Sequence, residues 1–239
     1  MKKIVISQPM FLPWIGIFEQ VKLADIYVHY DDVQLPLGRS LMNRVEIKTT
    51  QGVQWLTAPI KRKGIQLIKD VEFDNNTDWR SNHLRRIKET YAKAPFADDM
   101  MNMINMIYSF DTNFLAEFNI NAIEIISKFF KIECDFVKSS KFNYTSSSSK
   151  KLLDIIKEFN ADIYITGHGA KNYLDYNLFE VNNVTVEFMN YKCNVYNQIH
   201  GKFTPYVSII DLVANKGIEG KKYINSNTKY WRKFIDESD

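Results

Sequence analysis

The sequence predicts an α/β fold: a mostly parallel sheet flanked by helices, with an antiparallel β insertion and a helical middle segment. Short apolar runs rich in β-branched residues alternate with helical patterns at both ends of the chain. In the middle of the chain the spacing of apolar residues changes from every second residue, typical of strands, to the spacing typical of helices. For 239 residues we expect one domain over 1–239, with the insertion at about 40–75 and the helical segment at about 78–131.

The first thirty residues have the pattern of a βαβ unit. Residues 3–6 predict a buried strand, residues 14–24 a helix, and residues 26–30 a second strand that runs into Asp31 and Asp32. Two strands joined by a helix over so short a distance are expected to pair in parallel.

The insertion and the helical middle follow in turn. Residues 44–49 and 54–60 alternate on either side of a Gln-Gly turn, and residues 65–73 form a third candidate strand. Helices are then predicted over 78–91, 96–108 and 112–131, with Asp78 and Asp111 as candidate N-caps.

The last third returns to alternation of strands and helices. Strands are predicted at 134–137, 163–166 and 184–189, and helices at 150–159, 171–178 and 208–215. The serine run 146–149 is interpreted as a loop with an N-cap, and Gly217 as a C-cap.

Composition excludes several classes of protein. The net charge of +3 is too small for a duplex-binding surface, so no nucleic-acid partner is expected. Two cysteines cannot form a disulfide framework, and no apolar run approaches the ~20 residues of a membrane span. We therefore expect a cytoplasmic protein with reduced thiols. Its aromatic content of 14% is compatible with a homodimer interface.

Ligands of open parallel sheets bind beyond the carboxyl ends of the strands. That rule selects three segments: the loop after the first strand with Gln8 and Trp14, the pair Asp31 and Asp32 after the second, and residues 166–173 after a late strand.

The late segment reads Gly167-His168-Gly169, with Lys171 and Tyr173 close behind. Glycines let a backbone approach a ligand, and amides at a helix start favour phosphate. A tight strand-to-helix turn without a ligand is the alternative.

Two adjacent carboxylates, Asp31 and Asp32, follow the second strand. Such a pair can hold a substrate amine, accept a proton or bind a metal. In the alternative interpretation one carboxylate caps a turn and the other is solvated.

Arginine is scarce, which favours a specific role for Arg44 beside Asn43. A guanidinium suits bidentate phosphate recognition, Asn43 can contact a ring or sugar, and Trp55 or Trp14 can stack on one. The alternatives are a surface loop paired with nearby carboxylates and tryptophans that belong to the core.

None of the four histidines has metal-ligand spacing to another, so no metal site is predicted. His29 lies within a strand, His83 is expected on a helix surface, and His168 and His200 both neighbour glycine. The last two are the acid/base candidates. No GxSxG or catalytic cysteine motif is present.

Six segments form a distinctive set of motifs: ISQPMFLPWIGIFEQVKLADIYVHYDDVQ, NRVEIKTTQGVQWLTAPI, YAKAPF, YITGHGAKNYLD, VYNQIHGKFTP and SIIDLVANKG, spread from residue 6 to residue 217. Together they resemble the WbqC-like proteins of bacterial surface-polysaccharide gene clusters. In the family pattern the first motif reads Ile-His-Gln-Pro, whereas here Ser7 stands in the second position. If that histidine is a general base in relatives, this chain uses another group, a water molecule or substrate assistance.

The resemblance implies a transferase that attaches an amino acid such as glycine, or another acyl group, to the amine of a nucleotide-linked sugar in O-antigen biosynthesis. The implied acceptor is a dTDP-linked 4-amino-4,6-dideoxy sugar, and the donor is an acyl thioester or an amino acid with ATP. Arg44, Lys171 and the glycine turn would then contact phosphate, Trp55 or Tyr173 the base, and Asp31, Asp32 or His200 the amine. The alternatives are a nucleotide-binding enzyme acting on another cell-surface precursor and a non-catalytic binding protein of the pathway.

Overall fold

The structure is a computed structural model that describes residues 1–237. Six of its strands form one central sheet, and two form a separate hairpin. The strands are β1 (Lys3–Ser7), β2 (Ile26–His29), β3 (Arg44–Thr49), β4 (Gly52–Thr57), β5 (Asp135–Lys138), β6 (Ile163–Thr166), β7 (Thr185–Asn190) and β8 (Asn227–Tyr230).

The central sheet has the order β5-β2-β1-β6-β7-β8. The first five strands in this order run parallel, with Ile4 beside Ile26 on one neighbour of β1 and beside Tyr164 on the other. The chain winds to one side of β1 for β2 and β5, then to the other side for β6 and β7. The predicted parallel sheet is confirmed, and β1 and β6 lie at its topological switch point.

The helices pack on both faces of this sheet. They are α1 (Ile15–Leu23), α2 (Trp79–Tyr91), α3 (Ala97–Tyr108), α4 (Leu115–Phe129), α5 (Ser148–Glu158), α6 (Tyr176–Glu180), α7 (Ile209–Lys216) and α8 (Trp231–Asp236). Val5 and Tyr27 face the larger core with α1, α4 and α7, whereas Ile4 and Val28 face a second core with α5 and α6. Strands covered on both faces are buried along their whole length, which is why the first three residues of β2 and of β6 are all apolar.

Outside the central sheet, β3 and β4 form the predicted antiparallel hairpin, in which Arg44 pairs with Thr57 and Glu46 with Trp55. The third candidate strand, 65–73, is wrong. This segment makes only single bridges to separate partners around a 3-10 turn, Ile68–Asp70, so no continuous ladder forms.

Two other predictions need correction, and one strand was missed. The predicted helix 171–178 is wrong: a 3-10 turn over His168–Ala170 is followed by loop, and α6 begins only at Tyr176, where Asp175 accepts the amide of Leu178. The helix α4 begins after Phe114, so Asp111 is not its N-cap. The polar edge strand β8, antiparallel to β7, was not predicted. By contrast, Asp78 caps α2 and Gly217 ends α7 with a φ of 53°, both as predicted.

Among residues 1–237, none of the helices has the length and apolar character needed to cross a membrane.

Candidate functional site

A cavity of about 700 Å³ lies at the switch point of the sheet. Ser7 and Gln8 reach it from the end of β1, and Thr166 and Gly167 from the end of β6. These strands are neighbours whose connections leave in opposite directions, which opens a crevice beyond their carboxyl ends. The predicted binding residues Gln8, Trp14, Gly167, His168, Gly169 and Tyr173 all line this cavity.

Aromatic rings form one wall of the switch-point cavity. The ring of Trp14 lies 4.8 Å from that of Tyr191 and 5.1 Å from that of Tyr206. Trp14 immediately precedes α1 and folds back over Gly16, where an added Cβ would lie only 2.2 Å from the indole. Gly16 therefore sets the orientation of the tryptophan.

Tyr191 presents a hydroxyl at the glycine turn. Its oxygen accepts a hydrogen bond from Nε2 of Gln20 at 2.7 Å, and a Cβ at Gly167 would lie 3.3 Å from it. Burial raises the pKa of Tyr191 to about 12, so the hydroxyl keeps its proton near neutral pH. Since its oxygen already accepts from Gln20, its hydrogen can be donated to a ligand.

His168 is the one histidine among the described residues that line the cavity. Its Nε2 lies 2.6 Å from the carbonyl oxygen of Met189, which can only accept, so Nε2 carries a hydrogen. In the neutral ring Nδ1 then holds a lone pair, and no group within residues 1–237 donates to it. This arrangement fixes the tautomer of a potential proton acceptor.

The N-terminus of α5 opens on the same cavity through Ser148 and Leu152. The N-cap Ser147 makes no side-chain cap, and within residues 1–237 no acceptor pairs with the amides of Ser148, Ser149 and Lys150. Free first-turn amides, together with the helix dipole, favour an anion. The sequence predicted the helix at 150–159 and a loop with an N-cap at 146–149, but it did not identify the start of this helix as part of a binding site.

Neutral polar groups dominate the rest of the lining. Burial raises the pKa values of Tyr30, Tyr164 and Tyr173, so their phenols remain protonated donors. The described lining residues include no Lys or Arg; Lys171 lies beyond the turn, outside the lining. The cavity is therefore suited to a polar ligand whose charge lies at one end, next to α5.

Asp31 and Asp32 do not line the cavity. Asp31 is buried and accepts from the hydroxyl of Ser140 at 2.6 Å, from its amide at 3.0 Å and from the hydroxyl of Ser139 at 3.1 Å. Asp32 accepts from Nζ of Lys151 at 2.8 Å, in the first turn of α5. These bonds link the end of β2 to the start of α5, which supports the cavity wall from behind.

Arg44 and Trp55 lie in a second cavity, of about 300 Å³, beside the β3–β4 hairpin. The guanidinium carbon of Arg44 stacks 3.5 Å above the indole of Trp55. The two cavities share Met10, Trp14 and Tyr206. Asn43 lines neither cavity; it is buried and donates to the carbonyl of Ala58 at 2.9 Å.

Two further histidines, His200 and His83, pack against other elements. His200 lies 2.8 Å from the carbonyl of Thr90, outside both cavities. His83 is buried rather than on a helix surface, with Nδ1 3.0 Å from the hydroxyl of Tyr108 and Nε2 3.1 Å from the carbonyl of Thr57. Burial lowers the pKa of His83 to about 4.

Comparison with known proteins identifies a relative and a family. The chain is 31% identical over 229 residues to the uncharacterized protein Rv1507c of Mycobacterium tuberculosis (strain ATCC 25618 / H37Rv), covering 94% of this chain and 98% of that one. No solved structure matches the chain. The model of the WbqC-like protein family matches residues 8–223, which include the aromatic wall, the glycine turn, the start of α5 and all the lining residues of both cavities except Ile6 and Ser7. The chain belongs to the WbqC-like protein family.

Proposed function

We propose that the protein binds a nucleotide-linked amino sugar in the switch-point cavity and transfers an acyl group, such as glycyl, to the sugar's amine. One observation carries the proposal. A single cavity holds the free amides of α5 at one side and His168, with its open Nδ1, at another. An anion site and a proton acceptor are what an amine acylation on a nucleotide sugar requires.

The shape of the cavity supports such a ligand. Its volume of about 700 Å³ falls within the range typical of ligand sites. The first turn of α5 would hold the pyrophosphate, Trp14 and Tyr206 would stack on the base, and the buried tyrosines would donate to sugar oxygens. In this arrangement the negative charge lies against a helix dipole, and the neutral sugar ring lies among neutral phenols.

The proposed reaction is a direct attack without a covalent enzyme intermediate. The sugar nitrogen attacks the acyl carbonyl carbon, so a C–N bond forms while the bond to the leaving group breaks. Nδ1 of His168 accepts the proton that the amine loses and returns it to the leaving group, a thiolate if the donor is a thioester. This assignment places His168 in the role first predicted for Asp31, Asp32 or His200.

Mass spectrometry tests the proposal. The purified protein is incubated with a dTDP-4-amino-4,6-dideoxy sugar and, in parallel, with short-chain acyl thioesters or with glycine plus ATP. We expect a product heavier than the acceptor by the acyl group, and none with the matching 4-hydroxy sugar. Lack of product with every donor would overturn the proposed transfer.

A binding measurement separates the two alternative functions. Calorimetric titration with dTDP and with the amino sugar nucleotide is run on the same preparation. Tight binding of the sugar nucleotide without turnover would favour a non-catalytic binding protein of the pathway. Binding of the nucleotide with no preference for the amine would favour an enzyme acting on another cell-surface precursor.

A further inference from the structure

The hairpin cavity contains two opposite charges on one face of β3. Arg44 and Glu46 are two positions apart on the strand, so both side chains lie on the side that lines this cavity. The intervening Val45 is buried. Glu46 faces Trp55 directly across the ladder, and Arg44 is stacked on the same indole.

Neither charge is compensated within residues 1–237. Arg44 contacts the face of Trp55, and its N–H groups donate to no acceptor. The carboxylate of Glu46 accepts no hydrogen bond and forms no ion pair, either with Arg44 or with another described residue; only its main-chain carbonyl is engaged, by the amide of Ser208. Stacking on a ring leaves the edge of a guanidinium available for a carboxylate.

The rest of the cavity is apolar. Met10, Pro13 and Leu41 line it beside the rings of Trp55 and Tyr206, and Arg44 and Glu46 are the charged residues among the described lining. An anion alone would satisfy Arg44 but would be repelled by Glu46, and a cation alone would meet the reverse conflict. A ligand that carries a carboxylate and an ammonium group on the same carbon atom satisfies both side chains.

We infer that the hairpin cavity is a binding site for a zwitterionic α-amino acid, with Arg44 holding the carboxylate and Glu46 the ammonium group. The role of this cavity as the donor site of an aminoacyl transfer rests on the proposed function. The binding of an amino acid rests only on the two unpaired charges. The position suits a donor, because Met10, Trp14 and Tyr206 border both this cavity and the switch-point cavity. The apolar lining selects a side chain that is absent or apolar.

Calorimetric titration without any nucleotide sugar tests the site. The probes are glycine, leucine, glutamate and lysine, with N-acetylglycine and glycinamide each lacking one charge. We expect glycine or leucine to bind, and the single-charge analogues to bind about 10- to 100-fold more weakly, which is the usual effect of losing one charge-assisted hydrogen bond. Failure of every amino acid to bind would overturn the inference, whatever the outcome of the transferase assay.

Two variants assign the charges. Arg44→Met should weaken the amino acid about 10- to 100-fold and remove the preference for glycine over glycinamide. Glu46→Gln should remove the preference for glycine over N-acetylglycine instead. Arg85→Met and Glu89→Gln, which change exposed charges on α2, are matched controls and should leave binding unchanged. Equal loss in all four variants, or no loss in the first two, would refute the assignment.

Discussion

The end of β2 and the switch-point cavity are neighbouring polar regions that differ in how their hydrogen bonds are used. At the end of β2, Asp31 and Asp32 are occupied by Ser139, Ser140 and Lys151. In the cavity, Nδ1 of His168 and the first amides of α5 have no acceptor or donor among residues 1–237.

The difference separates supporting groups from binding groups. Buried polar groups in folded proteins are nearly always paired, so a paired carboxylate needs no function beyond holding its elements together. A group at a cavity that keeps an open lone pair or an open amide has an interaction left for a ligand. On this basis we assign Asp31 and Asp32 a supporting role and propose that His168 acts in the site.

His168→Gln gives the largest expected effect. Glutamine can still donate to the carbonyl of Met189 but offers no basic nitrogen, so the rate of transfer should fall about 10²- to 10⁴-fold. The melting temperature should be nearly unchanged. His200→Gln, outside both cavities, is the control and should keep the wild-type rate. If His168→Gln kept the wild-type rate of transfer, an unpaired nitrogen at the cavity would not identify a catalytic group.

Asp31→Ala should act on stability instead. Removing this buried acceptor leaves the hydroxyl and the amide of Ser140 unpaired, whereas Ser139 can still donate to Asp32, and the free energy of unfolding in urea should fall by about 3 kcal/mol. Asp154→Ala, at a half-buried position of α5 where the carboxylate accepts from Ser146 and Lys150, is the control and should cost less. A stable Asp31→Ala protein that has lost only activity would place Asp31 among the catalytic groups.

His83 differs from His168 in that both of its ring nitrogens lie within hydrogen-bonding distance of a partner. Its folded pKa of about 4 lies below the unfolded value of 6.5, so its stabilising contribution is complete above pH 6.5 and is lost as the pH falls toward 4. The shift corresponds to about 3 kcal/mol. Urea unfolding from pH 7 to pH 4 should show a loss larger by up to that amount in the wild type than in His83→Gln. Parallel pH profiles would contradict the burial argument.

Gly16→Ala should have the smallest effect, confined to ligand binding. The new Cβ displaces the Trp14 ring, which should weaken dTDP binding about tenfold if the ring stacks on the base. Gly169→Ala is a matched control at the same cavity, because a Cβ there meets open space. Equal affinities of the two variants for dTDP would show that the base lies away from Trp14.

Local patterns were enough to predict the central parallel strands and the helices α1 to α5 and α7. The centres of β1, β2 and β6 are apolar because both faces of the sheet are covered there. Asp78 is recognisable as an N-cap because it directly precedes its helix. The edge strand β8, with the sequence NTKY, is polar and gives no such signal. The segment 65–73 alternates like a strand but has no continuous partner to pair with.

Contacts between distant parts of the chain account for what the sequence did not predict at the site. The partners of Asp31 lie 108 and 109 residues away, so adjacent carboxylates were interpreted as reactive groups when they are paired ones. The carbonyl of Met189 that fixes the tautomer of His168 belongs to the next strand. The grouping of the cavity residues at β1 and β6, by contrast, follows from the general rule for parallel sheets.

The position of β1 at the centre of the sheet has a consequence for synthesis of the chain. Lys3 pairs with Ile163, and the amide of Lys2 donates to Asp162, 160 residues later. The switch-point cavity also needs Tyr191 and Tyr206. A nascent chain therefore cannot complete the switch-point cavity until its last third has left the ribosome, and one edge of β1 stays unpaired until β6 is available.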